Sequence, residues 1–254
     1  MEAQPCRDAV LGEGATLIAS LRGATDALVV VGAHHDTVAG SPGADDNGSG
    51  LAALLELARV LGRRRWEATL ELVAFDFEER GDPERDGLFP GSRAYVAGLG
   101  RARELRGAFV YDLIAYASDL GGTQRLPPGL DRLYPDAAAL VDRSGARGDF
   151  LVALGNVAGE NTLTERFAKA AAAAELPVLP LTVREGTPAR DLYRSDHVAF
   201  WDAGMPALLL TDTANFRNPN YHLPTDTPET LDARFWARVV DATVAAVAEL
   251  AGAR

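Results

Sequence analysis

The residues best suited to chemistry lie between His34 and Gly50, in the run His-His-Asp-Thr-Val-Ala-Gly-Ser-Pro-Gly-Ala-Asp-Asp-Asn-Gly-Ser-Gly. His34 offers a neutral ring nitrogen, and Asp36 is placed to hold the other nitrogen of the same ring. Asp46 follows a Gly/Pro-rich turn that can fold back on His34. Together they read as a metal site. Asp45 and Ser49 carry the plainer reading of caps for the helix that follows. Further donors come later, at Glu78-Glu79, Asp112 and Tyr221-His222. At Glu78-Glu79 one carboxylate can bind metal while the other moves a proton. The donor set is then His34, Asp46, Glu79, Asp112 and His222. Two imidazoles and three carboxylates suit a pair of zinc ions, although cobalt or manganese could use the same ligands. Without a cation, three clustered carboxylates would repel one another.

Elements must carry these groups to one place. Ala27–Ala33 has the β-branched content of a buried strand, and His34 stands at its C-terminal end. Leu51–Leu61 reads as a helix, with Leu51, Leu54, Leu55 and Ala58 on one face, ended by Gly62 and three arginines. Thr16–Leu21, Thr69–Phe75 and Gly107–Leu113 read as further strands, the second running into Glu78-Glu79 and the third carrying Asp112 at its end. Adjacent strand residues point to opposite faces, so a turn is needed to bring Glu78 and Glu79 to one site. Asp149–Leu154, Pro177–Val183 and Pro206–Thr211 read as strands, with helices from Gly91, over Asn161–Ala174 (capped by Asn161 or Thr162) and over Leu231–Leu250. Trp236, Val240, Thr243, Val247 and Leu250 form a core-facing stripe on the last helix. Residues 1–14 are expected to be a tail, 80–90 a polar loop and 119–148 a long surface loop beside the cleft. The pattern predicts an α/β fold: one domain over 1–254, a three-layer sandwich with a mixed, mostly parallel central sheet and helices on both faces. Ligand sites of such sheets lie at the C-terminal ends of the strands.

Composition narrows the function. A hydrophobic content of 47% over 254 residues suits a single large core. A net charge of −11 argues against nucleic acid or anionic membranes as partners, and fits cations or the ammonium end of a peptide. Cys6 is the one cysteine, so no intrachain disulfide or Cys-based zinc site is expected. No signal peptide or transmembrane run is visible, which predicts a cytoplasmic protein, or a secreted one if a leader has been removed. There is no G-x-S-x-G elbow and no phosphate loop, and the one lysine, Lys169, falls mid-helix. His34, His35, His197 and His222 are all the histidines, and each lies in a motif-like stretch.

The chain resembles the M28 family of zinc peptidases, which includes bacterial aminopeptidases and the glutaminyl-peptide cyclotransferases. The matching segments are Gly32–Asp36, Pro42–Gly50, Phe77–Arg80 with Gly91-Ser92, Asp112–Ile114, Ser195–His197 with Gly204–Ala207, and Tyr221-His222, in family order. The resemblance implies a zinc-exopeptidase-like fold and two zinc ions. Asp46 would bridge them, His34 and Asp112 would complete one, and Glu79 and His222 the other. It implies Glu78 as general base and Tyr221 as oxyanion donor, with Tyr193 the alternative. Asp196 and His197 would support the site or the fold without touching the reacting atoms, and His35 would pack or line the cleft.

The activity so implied is an aminopeptidase acting on peptides, or small amides, with a free N-terminus. The alternatives are a one-zinc glutaminyl cyclotransferase-like enzyme, another metallohydrolase, and a non-catalytic binding protein on the same fold. Tyr221 counts against the cyclotransferase, whose members typically place another residue before the last histidine. Family members mostly carry a helix before the first strand, whereas about fifteen residues precede Thr16 here. The oligomeric state is left open.

Overall fold

The computed structural model describes residues 1–8, 12–79, 89–100, 103–157, 162–184 and 186–253. One sheet of eight strands organises them, in the order β1-β2-β4-β3-β5-β8-β6-β7. Its centre is β4 (Thr69–Phe75), β3 (Leu28–His34), β5 (Leu105–Tyr111) and β8 (Ala207–Thr211), all parallel to one another. Strand β2 (Gly12–Leu21) runs antiparallel to β4, and β1 (Glu2–Asp8) antiparallel to β2. On the other side β6 (Leu151–Gly155) is antiparallel to β8, and β7 (Val178–Thr182) parallel to β6. The expected mixed, mostly parallel sheet is present.

Every residue of β3 is buried, as a strand covered on both faces requires. Val29, Val31 and Ala33 face α1 (Gly50–Leu61), α5 (Leu163–Ala173) and α7 (Ala233–Ala251). Leu28 and Val30 face α2 (Pro90–Leu99) and α6 (His197–Asp202). A third apolar cluster lies under α3 (Leu130–Leu133) and α4 (Pro135–Arg143), against β6, β7 and Leu209 of β8. Among the described residues, no helix is long and apolar enough to cross a membrane.

Several boundaries differ from the sequence reading. Residues 2–8 of the expected tail are β1, paired from Glu2↔Ile18 to Asp8↔Gly12, with Cys6 buried. Strand β2 is paired with β4 on one side only, and β1 takes its other edge over seven residue pairs. The stretch 119–148 contains α3 and α4, whose Leu130, Ala137 and Val141 supply enough apolar surface to dock. Helix α1 buries Gly50, Ala53, Leu54, Leu57 and Leu61, while Leu55 is 72% exposed. The rotation follows from Gly50, where a Cβ would come within 2.9 Å of the Ala33 Cβ on the sheet. Gly62 ends α1 in right-handed conformation (φ −63°), not the left-handed one. The Trp66 indole N–H reaches back 3.0 Å to the Leu61 carbonyl and satisfies that helix end. Thr162 caps α5 in a reciprocal box with Glu165; Asn161 lies outside the described residues, as does 80–88 of the expected polar loop.

Both outer strands carry a proline, Pro5 in β1 and Pro180 in β7, as edge positions tolerate. Phe167 of α5, fully buried, meets Phe109 of β5 with ring centroids 6.4 Å apart. Phe167→Ala should lower stability by about 3–5 kcal/mol. The urea-unfolding midpoint measures this, and a change under 1 kcal/mol would show that this contact does not anchor the helix layer.

Candidate metal centre

The parallel strands end at one edge, and their ends deliver the donors. His34 is the last residue of β3, Asp112 follows β5, and Glu78-Glu79 follow β4. Phe77 breaks the strand's alternation with a left-handed backbone (φ 63°), which turns Glu78 and Glu79 toward the same place. Both of their amides donate to the Asp36 carboxylate, at 3.1 Å each. Asp36 therefore has a different task from the one its spacing predicts. The second ring nitrogen of His34, Nδ1, bonds the Asp36 backbone carbonyl at 3.0 Å, while the carboxylate stands 3.7 Å off.

Asp46 lies in the turn Ala44–Ser49, entered through Gly43 in left-handed conformation (φ 67°). The Asp46–Asn47 peptide bond is cis. The amides of Asp45 and Asp46 donate to the Asp226 carboxylate at 3.0 and 3.2 Å, which fixes this turn. Asp45 and Ser49 do not cap α1. Asp45 accepts from the Ala115 amide and the Asn218 side chain, and Ser49 Oγ donates to the Asp45 carbonyl and accepts from the Ile114 amide. They tie the turn to neighbouring loops.

The five expected donors come together. His34 Nε2 is 3.3 Å from Asp46 Oδ1 and 3.4 Å from Asp112 Oδ1. His222 Nε2 is 3.1 Å from Asp46 Oδ2 and 3.1 Å from Glu79 Oε2. Two triads result, His34/Asp46/Asp112 and Asp46/Glu79/His222, each with its ligand atoms within 4.8 Å of one another. Asp46 belongs to both, one oxygen to each. The contacts at His222 are close but not aligned as hydrogen bonds: its Nε2, Asp46 Oδ2 and one Glu79 oxygen are buried without a hydrogen-bond partner. Orphaned lone pairs converging from imidazole and carboxylate are what a cation-binding set presents, so the residues fit zinc.

The charges of these donors perturb one another. Burial, reinforced by the Asp46 charge, pushes Glu79 up to about 7. Burial opposes charge on His222, but Asp46 and Glu79 outweigh it and raise the imidazole to about 9. His34 is likewise raised against its burial by Glu78, Asp112 and Asp46. For Asp46 the two imidazoles overcome burial and hold the carboxyl well below its ordinary value. Glu78 is buried beside this set, and burial, with Asp112, Asp196 and Glu79 nearby, raises its carboxyl well above the usual range.

The remaining predicted residues spread around the cluster. The Tyr221 ring stacks on His222 with centroids 3.7 Å apart, and its hydroxyl accepts from Arg194 Nη2 at 2.9 Å. Tyr193 packs edge-on against Trp201, 5.8 Å between centroids. Asp196 is fully enclosed and both its oxygens lack a hydrogen-bond partner, the nearby Ser92 hydroxyl being committed to the Phe89 carbonyl. Burial raises it to about 7. His197 donates from Nε2 to the Leu192 carbonyl at 3.0 Å and packs on Trp201, a structural arrangement. His35 bonds the Ala15 carbonyl at 2.9 Å and lies away from the cleft. Sequence reasoning gave no task to Asp226 and did not single out Arg194. Asp226 stands four residues past His222, a spacing that could have drawn attention, whereas nothing in the sequence marks Arg194.

A cavity of about 620 Å³ opens from the cluster. Glu78, Glu79, Asp112, Tyr221 and His222 stand on its wall, and the clusters under α3 and α4 form its apolar floor. The sequence model of Peptidase family M28 matches residues 16–247. The chain belongs to peptidase family M28. It is 34% identical over 237 residues to YfbL of Escherichia coli (strain K12), itself uncharacterised, covering 90% of this chain and 68% of that protein. It is 29% identical over 231 residues to Aminopeptidase YwaD of Bacillus subtilis (strain 168), covering 87% of this chain and 41% of YwaD. Among solved structures, an aminopeptidase from Aneurinibacillus sp. strain AM-1 superimposes with a TM-score of 0.68 at 26% identity, over 96% of this chain and 49% of that one. The chain thus spans about half the length of these two aminopeptidases.

Two expectations follow from the supporting residues. Asp226→Ala removes the acceptor of two amides in the Asp46 turn, and should weaken zinc binding 10- to 100-fold in competition with a chelator; unchanged affinity would deny Asp226 that role. Burial lowers His197 to about 4. In the unfolded chain its pKa is about 6.5, so below that pH the unfolded state binds more protons. Stability should fall as the pH drops from about 6.5 to about 4, by on the order of 3 kcal/mol from this residue. Urea unfolding of His197→Gln at pH 7 and pH 5 should show a smaller pH difference than the parent, and an equal one would refute the assignment.

Proposed function

We propose that this chain is a di-zinc aminopeptidase that removes N-terminal residues from peptides. The observation that carries the reading is the pair of donor triads sharing Asp46 on the wall of an open cavity. His34 and Asp112 would hold one ion, Glu79 and His222 the other, and Asp46 both. Bound zinc would acidify the attacking water toward ~7 and polarise the scissile carbonyl.

The chain's own groups do the rest. Glu78 is on the cavity wall and bonds through its amide to Asp36, which leaves the carboxylate free. Buried on this wall beside the five donors, it would take the proton of the attacking water and return it to the leaving nitrogen. Tyr221 accepts a hydrogen bond from Arg194, so its own hydroxyl proton remains available to a developing oxyanion. Its stacking on His222 supports it over Tyr193 for that task. A free α-amine would find the carboxylates of this wall, which favours cutting one residue from the N-terminus.

The test is mass spectrometry of a peptide pool incubated with zinc-loaded protein, with blocked copies of each peptide included. Stepwise loss of N-terminal residues from unblocked peptides alone is expected. Loss of ammonia from Gln-initiated peptides alone would make the chain a cyclotransferase instead. Glu78→Gln should keep its zinc, measured by atomic emission, and lose about 10²–10⁴-fold in turnover; an active variant would remove Glu78 from the base role.

A further inference from the structure

The cavity wall carries cationic groups whose donors the hydrolytic site uses only in part. The chain has a net charge of −11, yet beyond the metal-centre carboxylates the charged residues described on this wall are Arg125, Arg190, Arg194 and Asp191. Asp191 is already held by Arg194 at 3.2 Å. Arg194 Nη1 also reaches Asn215 Oδ1 at 2.9 Å, and Nη2 reaches the Tyr221 hydroxyl at 2.9 Å. These are three of the five N–H donors that a guanidinium offers, so two remain open. Arg125 meets the same Asn215 from its other side, through the backbone carbonyl. Two guanidiniums therefore flank one asparagine on the cavity wall.

Their distance from the metal centre is short. The Arg194 guanidinium carbon is 5.9 Å from the Tyr221 ring centre, and that ring is 3.7 Å from the His222 ring. The guanidinium is therefore separated from His222 by no more than the two spacings combined. Extended chain covers roughly 3.3–3.6 Å per residue, so this gap holds at most two or three residues. A fork of open N–H donors matches a carboxylate.

We propose that Arg194, assisted by Arg125, reads the C-terminal carboxylate of a short peptide, so that di- and tripeptides are the preferred substrates. This rests on the peptidase reading of the neighbouring metal centre. Longer peptides would place an amide, which offers no negative charge, where the carboxylate belongs.

The experiment compares Leu-Ala, Leu-Ala-amide, Leu-Glu-amide and Leu-Ala-Ala-Ala-Ala on the zinc-loaded protein. Leu-Ala should exceed Leu-Ala-amide in kcat/KM by about 10- to 100-fold, mostly through KM. In Arg194→Gln and Arg125→Gln the ratio of acid to amide should fall toward one, whatever the absolute rates. Equal rates for acid and amide, or an unchanged ratio in both variants, would overturn the proposal. If Leu-Glu-amide behaves like Leu-Ala, the site reads an acidic side chain and the short-peptide claim fails. Titration calorimetry of Leu-Ala and its amide against Glu78→Gln decides the matter without turnover. Tighter binding of the acid supports the carboxylate site even if no peptide is cleaved, and equal binding refutes it even in an active peptidase.

Discussion

Three carboxylates and two imidazoles crowd together at the C-terminal edge of the parallel strands, and the rest of the molecule answers to that demand. Buried ionic groups each cost several kcal/mol unless their partners are held in place. The scaffold holds them with another set of aspartates aimed at backbone amides. Asp36 takes the amides of Glu78 and Glu79, Asp226 those of Asp45 and Asp46, Asp45 that of Ala115, and Asp212 those of Tyr116 and Ala214. A carboxylate accepting from N–H makes a strong, directional bond, and each one locks a turn that presents a ligand or borders one. Part of the acidity of the chain is thus internal framework.

The framework continues behind the metal turn. Asp45 and Asp212 are buried close together, and burial pushes both carboxyls up. Burial, together with the Asp45 charge, raises Asp212 well above the carboxylate range. Arg217, buried beside them, lies over the Phe150 ring at 4.7 Å and donates to Gln124 at 2.8 Å. Burial lowers it to about 10, still charged at neutral pH. This network joins the metal turn to the loops at 116–124 and 213–218, which border the cavity.

What the sequence made legible was residue type at strand ends. A buried strand ending in His34, another ending near Glu78-Glu79 and a third ending before Asp112 must converge if the strands are parallel and adjacent, and they are. The partners of those residues were less legible. Spacing placed the Asp36 carboxylate on its nearest imidazole, while the fold spends it on amides forty residues away. Phe77 has no residue-type signal for a left-handed backbone, although that kink puts both glutamates in one site. Leu55 illustrates the same limit: helical periodicity gives a face, but the contact between Gly50 and the sheet sets which face turns inward.

The prolines of β1 and β7 bear on how copies of this molecule meet. An open sheet normally offers each outer strand as a template on which another chain can extend it. Pro5 and Pro180 have no amide hydrogen, so each outer strand has a gap in its row of donors. Proline at a sheet margin is one of the devices that keep an edge from pairing with another copy. In this chain one such residue sits in each outermost strand, so both margins carry the same safeguard.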